Sequence, residues 1–254
     1  MGYDITSPAN DRIKWLVRLR ERRHRDAEGV FVLEGERLYR RALGAGLDPT
    51  VVFTDGTVDV EGDAVTVAPP ALDKASYRER SPGVIAVFPQ FDTILEHVRP
   101  SSTALLLIAE DIEKPGNLGA MMRTAAAVGI DALIAVESTV DPFNPNTVQA
   151  SMGALFSLPL AVSSWDETAP WLDREGIELV AASPDGDLSL WEADLTHTLA
   201  IVIGAEHAGL SERAASLAKR LVVIPQADGV VDSFNASVAA AIVLVEAVRQ
   251  RTVG

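Results

Sequence analysis

Apolar runs and helical patterns alternate along most of the chain. In the C-terminal part, short apolar runs recur at 104–108, 132–136, 158–162, 179–182, 200–203 and 221–224. Segments with a helical spacing of apolar residues lie between or after them, at about 118–128, 144–152, 168–175, 211–218 and 235–251. Continuous apolar strands that alternate with helices are typical of a mostly parallel sheet covered on both faces. The pattern therefore predicts an α/β fold.

The N-terminal part shows the same alternation on a smaller scale. Ser7 followed by Pro8 predicts the start of a helix that runs to about residue 24 and buries Ile13, Leu16 and Val17. Strands are predicted at 30–33, 51–54, 64–67 and 83–88, with helices at about 35–43 and 71–77. The polar stretch 90–103 is the best linker candidate. We therefore expect a small α/β domain at residues 1–98 and a larger one at 99–254.

The net charge of −14 hides a local concentration of positive charge near the N-terminus. Between residues 12 and 25, seven side chains are basic and one is acidic. Helical spacing predicts that one exposed face carries Lys14, Arg18, Arg22 and Arg25. A basic stripe on an acidic protein is typical of directed contact with nucleic acid, so these four residues are the candidate nucleic-acid contacts. A solvated basic face without a ligand fits the same pattern.

Ligands of open parallel sheets bind beyond the carboxyl ends of the strands, which directs attention to the loops after residues 108, 203 and 224. In the first loop, Gly116 and Gly119 permit close approach of the backbone. If Asn117 caps the following helix, Arg123 lies within the second turn of that helix and could reach the same ligand-binding cavity beyond the strand ends. The alternative is that Asn117 is only a cap and Arg123 only a surface residue.

The other two loops also present polar side chains beside flexible or small residues. The second reads Gly204-x-Glu206-x-x-Gly209 and places a carboxylate between two glycines directly after an apolar strand, although a plain strand-to-helix turn could look the same. In the third, Ser233 and Asn235 precede an alanine-rich helix, where capping alone would explain them. Neither loop, nor any other after a strand, contains the glycine-rich phosphate motifs of dinucleotide-dependent dehydrogenases or of kinases.

Together the three loops resemble the motifs of the SpoU-type RNA 2′-O-ribose methyltransferases of the SPOUT superfamily. The match covers about residues 104–251 and has the specific order N-x-G…R, G-x-E-x-x-G and I-P…S-x-N-x-S-V-A-x-A-I. Residues 5–37 resemble part of the RNA substrate-binding domain often fused to this family. The resemblance implies a SPOUT domain with a C-terminal trefoil knot, S-adenosylmethionine as cofactor, RNA as substrate and a homodimer. Phe234 and Ala236 depart from the usual leucine and β-branched residue, but keep the pocket apolar.

The resemblance also implies a site. Its catalytic residues would be Arg123, Asn117, Glu206, Ser233 and Asn235. Its cofactor-binding residues would be Gly204, Ala205, Glu206, Gly209, Ile224, Pro225, Ser233, Phe234 and Asn235. Because a guanidinium stays protonated, Arg123 is better suited to bind a phosphate and to stabilise negative charge on the ribose oxygen than to act as a base. Ser233 is a candidate proton relay.

The amino-acid composition excludes several kinds of chemistry. The chain has no cysteine, which excludes disulfides, cysteine-held metal clusters and covalent methylation of pyrimidine C5 through a thiolate. The four histidines lack metal-ligand spacing, so we expect no metal. No apolar stretch approaches the roughly 20 residues of a membrane helix and no targeting segment opens the chain, so we expect a cytoplasmic protein without a membrane partner.

The sequence leaves the substrate open. A separate N-terminal domain provides an additional contact surface for structured RNA and therefore favours ribosomal RNA as the substrate. A narrower form of this hypothesis is methylation of ribosomal RNA that confers antibiotic resistance. Transfer to a tRNA ribose is the nearest alternative. A non-catalytic RNA-binding protein that retains the cofactor pocket is another, although all five candidate catalytic residues are present.

Overall fold

The computed structural model describes residues 2–206, 208–227 and 233–253. In chain order the elements are α1 (Asp11–Arg18), α2 (Arg22–Glu28), β1 (Val30–Glu34), α3 (Glu36–Gly44), β2 (Val51–Thr54), β3 (Val65–Thr66), α4 (Pro69–Ala75), β4 (Val84–Pro89), β5 (Leu105–Glu110), α5 (Pro115–Val128), β6 (Ala132–Val136), α6 (Pro145–Ser151), β7 (Leu160–Ser163), α7 (Trp165–Glu175), β8 (Glu178–Ala182), β9 (Leu188–Ser189), β10 (Leu199–Ile203), α8 (Glu212–Leu217), β11 (Arg220–Val223) and α9 (Ala236–Val253). Single 3-10 turns lie at Leu95–His97 and Ala154–Phe156.

The chain divides into two compact units, which we describe separately. The N-terminal unit comprises Met1–Phe91 and Asp141–Phe156, and the C-terminal unit comprises Asp92–Val140 and Ser157–Gly254. The segment 141–156, which the sequence pattern places beyond the linker, therefore groups with the N-terminal unit. Its Phe143 and Phe156 rings lie with their centroids 5.4 and 6.0 Å from that of Phe31 on β1.

The N-terminal unit is built on a four-stranded sheet in the order β1-β4-β2-β3. β4 pairs antiparallel with both β1 and β2, whereas β2 and β3 run parallel. Helices α1 and α4 pack on each other, and their apolar faces join the inward side chains of the sheet in one core that includes Ile13, Leu16, Phe53, Leu72 and Ile85. The predicted small α/β domain is confirmed.

The predicted N-terminal helix is interrupted. Its first turn is capped by Asn10, whose Oδ1 accepts from the backbone N–H of Arg12 at 2.9 Å, so the start at Ser7 was wrong. The chain breaks after Arg18 because the Arg25 guanidinium folds back and donates to the carbonyl oxygens of Leu19 (2.9 Å) and Arg20 (2.8 Å). These contacts satisfy carbonyls that the end of a helix leaves free.

The break also corrects the predicted basic face. Lys14, Arg18 and Arg22 are exposed, but Arg25 is 1% exposed and pairs with Asp141 at 2.5 Å. Placing Arg25 on the exposed face was therefore wrong, because the second helix turns its guanidinium inward. The ion pair ties residues 116 positions apart within the N-terminal unit.

The C-terminal unit is built on a seven-stranded parallel sheet in the order β7-β6-β5-β10-β8-β11-β9. Its central strands are fully buried, as expected for a sheet covered on both faces, and α9 packs against α5 and β10. The predicted parallel α/β fold is confirmed. Because β10 lies between β5 and β8, the loops that follow these three strands meet at one edge of the sheet.

We predict that Asp141→Ala destabilises the protein by about 3–5 kcal/mol, since it leaves the buried Arg25 charge without its partner. Urea unfolding monitored by circular dichroism measures the change. The matched control is Asp11→Ala, whose carboxylate is 96% exposed and pairs with Lys14 on the surface, where little or no loss of stability is expected. Equal losses in the two variants would contradict the role assigned to the buried pair.

Candidate active site

The carboxylate of Glu206 brings together three segments that are distant in sequence. It lies in the loop after β10 and accepts hydrogen bonds from the side-chain amides of Asn117 and of Asn235, the latter at 2.5 Å. Lys114 donates to its other oxygen, and the Glu206 side chain is only 15% exposed. The structure thus brings together three of the five predicted catalytic residues.

Local structure explains the position of each amide. Pro115 occupies the first position of α5 and Lys114 is the N-cap residue, so Asn117 lies in the first helical turn and is not the cap. Asn235 does cap α9: its Oδ1 accepts from the backbone N–H groups of Ser237 (3.0 Å) and Val238 (3.4 Å). Its Nδ2 is free to reach Glu206, so capping and a site role coexist in one side chain.

A tight turn presents Glu206. Ala205 and Gly209 form a backbone bridge, in which the N–H of Gly209 donates to the Ala205 carbonyl at 3.0 Å. Gly209 has a φ of 68°, which favours glycine. A Cβ added at Gly204 would lie 2.2 Å from the carbonyl oxygen of Gly209. The close return of the backbone therefore requires the two glycines of the Gly-x-Glu-x-x-Gly motif.

A buried carboxylate that the sequence analysis missed supports this turn. Glu110, at the end of β5, is 2% exposed and accepts from Trp165 Nε1 at 2.6 Å. It also accepts from the Oγ and the backbone N–H of Ser211, at 2.5 and 3.1 Å. Ser211 in turn caps α8 by accepting from the N–H of Ala214. The signal in the sequence is a glutamate that ends an unbroken apolar strand, where a charge needs buried partners.

A cavity of about 630 Å³ lies beside this turn. Seven predicted cofactor-binding residues line it: Gly204, Ala205, Glu206, Gly209, Ile224, Ser233 and Phe234. The predicted Pro225 and Asn235 do not. The end of β8 and the loop after it, which the sequence did not indicate, form another wall with Ala182, Ser183, Pro184 and Asp185. Only the strand order could reveal this wall, because β8 is the neighbour of β10 in the sheet.

The lining defines the kind of ligand that the cavity can accept. Leu210, Ile224 and Phe234 offer apolar surface, while Asp185 and Glu206 contribute carboxylates. Among the described lining residues there is no lysine or arginine. Small-molecule pockets usually enclose about 300–1,000 Å³, mostly apolar with a few polar groups. The cavity is thus suited to a small molecule that carries an apolar ring and a positive charge.

Arg123 is not part of this cluster within one chain. It lies on α5 six residues after Asn117, roughly 120° around the helix, and its side chain is exposed. It forms no hydrogen bond or ion pair with any described residue. Because α5 starts at Pro115, Arg123 lies in the third turn of the helix and not in the second, as expected from a cap at Asn117.

Two further findings concern the parts of the chain that the structure describes. Within 2–206, 208–227 and 233–253, no helix combines the length and the hydropathy that crossing a membrane would require. The same ranges contain no cluster of three or more histidine, cysteine, aspartate or glutamate side chains placed to bind a metal ion.

The parallel sheet, with a cavity at the loops where its strands end, has the architecture of an α/β enzyme, and the chain also forms a separate small unit. Residues 104–245 match the SpoU rRNA Methylase family, and residues 10–86 match the MRM3-like substrate binding domain. The chain belongs to the SpoU rRNA methylase family, and the predicted enzyme class is confirmed.

Individual relatives match nearly the whole chain. The 23S rRNA (uridine(2479)-2′-O)-methyltransferase of Streptomyces viridochromogenes is 31% identical, over 95% of this chain and 90% of its own. A crystal structure of an RNA 2′-O ribose methyltransferase is 39% identical, with a TM-score of 0.88 and coverage of 98% and 99%. The AdoMet-bound rRNA methyltransferase from Sinorhizobium meliloti is 30% identical, with a TM-score of 0.89 and coverage of 96% and 97%.

Proposed function

We propose that this enzyme transfers a methyl group from S-adenosylmethionine to a ribose 2′-hydroxyl of RNA, and that its substrate is ribosomal RNA. The observation that carries the proposal is the convergence of Asn117, Glu206 and Asn235 beside a cavity lined by the loops after β8, β10 and β11. A relative that spans nearly the whole chain is named as a 2′-O-methyltransferase of 23S rRNA, which favours ribosomal RNA over tRNA.

The cavity fits this cofactor. Ile224 and Phe234 provide apolar surface for a flat adenine ring, and the turn at Gly204 offers closely spaced backbone groups for hydrogen bonds. The carboxylates of Asp185 and Glu206 favour a ligand with positive charge. When bound, S-adenosylmethionine supplies an electrophilic methyl group on a sulfonium, so the residues of the chain have to orient the ribose oxygen and help remove its proton.

We assign the remaining catalytic roles as follows. The carboxylate of Glu206 fixes the amides of Asn117 and Asn235 at the mouth of the site. Ser233 is exposed and lines the cavity, where its hydroxyl is a candidate relay for the ribose proton. Arg123 provides an exposed guanidinium that can grip an RNA phosphate and stabilise negative charge on the ribose oxygen.

We further propose a homodimer and a C-terminal trefoil knot. Two large apolar side chains on α9, Val238 and Val245, are 45% and 54% exposed and lie seven residues apart, hence on one face of the helix. A second copy of the chain would cover this face. The knot is supported by the order of the sheet, in which β10 inserts between β5 and β8 before the chain returns as α9 across β10 and α5.

We assign RNA binding to residues 1–98 and catalysis to residues 99–254. Lys14, Arg18 and Arg22 are exposed on the N-terminal unit and remain candidates for RNA contact, whereas the buried Arg25 is not. We further propose that the protein works in the cytoplasm, in keeping with its proposed ribosomal RNA substrate.

Gly204→Ala should weaken S-adenosylmethionine binding by about tenfold or more. The added Cβ forces the turn away from the Gly209 carbonyl, and overpacking of this kind costs about 1–3 kcal/mol. Isothermal titration calorimetry measures the affinity. In the control Gly44→Ala, the new Cβ meets no atom within 4 Å, so the affinity should not change. Wild-type affinity in Gly204→Ala would refute the place of the cofactor.

Arg123→Ala should reduce turnover by about 100- to 1,000-fold, since removal of one stabilising donor has this effect in other enzymes. S-adenosylmethionine affinity should stay nearly unchanged, because Arg123 does not line the cavity. Methyl transfer from radiolabelled cofactor and calorimetry give the two quantities. Arg174→Ala, which removes another exposed arginine of the C-terminal unit, is the control. Loss of cofactor affinity with normal turnover would reverse the assignment.

The substrate is identified by mapping ribose methylation in RNA by mass spectrometry, in cells with and without the protein. We expect one 2′-O-methylated nucleotide of ribosomal RNA to disappear without the protein, and to be restored by the wild-type chain but not by Arg123→Ala. A missing methyl group in tRNA would show that tRNA is the substrate. An unchanged methylation map, together with wild-type cofactor binding, would favour the non-catalytic alternative.

A further inference from the structure

We propose that the N-terminal unit binds RNA phosphates through a second basic segment, the loop after α4, which lies next to the α1–α2 corner. We call residues 18–23 and 74–80 together the basic corner. This inference rests on the proposed function, because it names the surface by which the same enzyme would grip its RNA. The basic side chains of this segment are Lys74 at the end of α4 and Arg78 and Arg80 in the loop, none of which the helical pattern of α1 could indicate.

Direct contacts join the two segments of the basic corner. One terminal nitrogen of Arg20 donates to the carbonyl oxygens of Lys74 (3.1 Å), Ala75 (3.4 Å) and Ser76. The guanidinium carbon of Arg20 lies 5.3 Å from the centre of the Tyr77 ring. The Tyr77 hydroxyl donates to the Leu19 carbonyl at 3.4 Å. Arg18 precedes Leu19 and Arg78 follows Tyr77 in the sequence, so each is adjacent to a residue that makes these contacts.

Buried groups hold the loop in place. Glu34, which is 6% exposed, accepts from the Ser76 hydroxyl and from the backbone N–H of Tyr77, both at 2.7 Å. Farther along, the N–H of Ser81 donates to the Asp73 carboxylate at 2.8 Å. A segment fixed at both ends presents its charges in a defined arrangement, which lowers the entropic cost of binding.

The charge of the basic corner differs sharply from that of the whole chain. Residues 18–23 have four basic side chains and one acidic one, and residues 74–80 have three and one, in a chain with a net charge of −14. Lys14 and Arg22 of α1 and α2 already pair with Asp11 and Asp26. Four exposed cations of the corner have no ion-pair partner among the residues described by the structure: Arg18, Lys74, Arg78 and Arg80.

An RNA backbone is the partner that these features favour. Uncompensated cations crowded on one rigid surface repel one another, and an anion that spans them removes the repulsion. The unit matches a family of substrate-binding domains over residues 10–86, which include the whole corner. Contacts with phosphates supply affinity without reading the sequence, and they make binding depend on salt.

The test compares single-charge variants of the full-length protein in binding to a ribosomal RNA fragment that the wild type methylates. Arg78→Ala and Arg80→Ala should each reduce the slope of log affinity against log salt by about 0.7–0.9, the value expected for one lost phosphate contact. KM for RNA should rise several-fold, while kcat and the affinity for S-adenosylmethionine stay at the wild-type values. Fluorescence anisotropy and steady-state kinetics provide these numbers.

Arg40→Ala is the matched control, because it removes one exposed arginine of the same unit that already pairs with Glu36 outside the corner. An equal effect of Arg40→Ala would show that net charge alone is responsible and would overturn the inference. Wild-type slopes and KM in both loop variants would also overturn it. If the loop variants do not fold, Lys74→Ala, which removes an exposed cation of the same segment, decides by the same criteria. Failure of the wild type to methylate any RNA would instead refute the proposed function.

Discussion

A single carboxylate that is largely withdrawn from water connects the three loops on which the site depends. Glu206 accepts from Asn117 at the start of α5 and from Asn235 at the start of α9, and it pairs with Lys114. Hydrogen bonds to an ionised acceptor are stronger than those between neutral groups, and leaving such a charge without partners inside a protein is costly. The first turns of two helices are therefore fixed relative to the turn that walls the cavity.

This arrangement depends on the order of the strands. β10 lies between β5 and β8, so the ends of three strands distant in sequence become neighbours. Glu110 follows Ala109, which pairs with Ile203 across β5 and β10. Because these strands are adjacent, the Glu110 carboxylate can accept hydrogen bonds from Ser211, which follows the turn that presents Glu206. The cluster of Asn117, Glu206 and Asn235 and the cavity wall thus share one buried support.

The N-terminal unit uses arginines in two ways. Arg25 is buried and satisfies carbonyl groups at the break between two helices, while Arg20 joins the α1–α2 corner to the loop after α4. Near these structural guanidiniums lie exposed arginines, among them Arg18 and Arg78, that have no ion-pair partner among the residues described by the structure. Arginine thus both stabilises this surface and gives it positive charge, in a chain whose net charge is −14.

Periodicity determined the elements and the parallel sheet, because the burial of strands and of helix faces sets a local pattern of apolar residues. Asn117, Glu206 and Asn235 were indicated by the resemblance of the three loops to the motifs of a known family. Tertiary structure alone decided that Arg25 is buried, that Asp185 lines the cavity and that Tyr77 contacts the α1–α2 corner. Each of these outcomes rests on a contact between residues far apart in sequence, and no helical or strand period encodes such a contact. The sequence did not determine the surroundings of Arg123 either, since within its own chain it has no hydrogen-bond or ion-pair partner among the described residues.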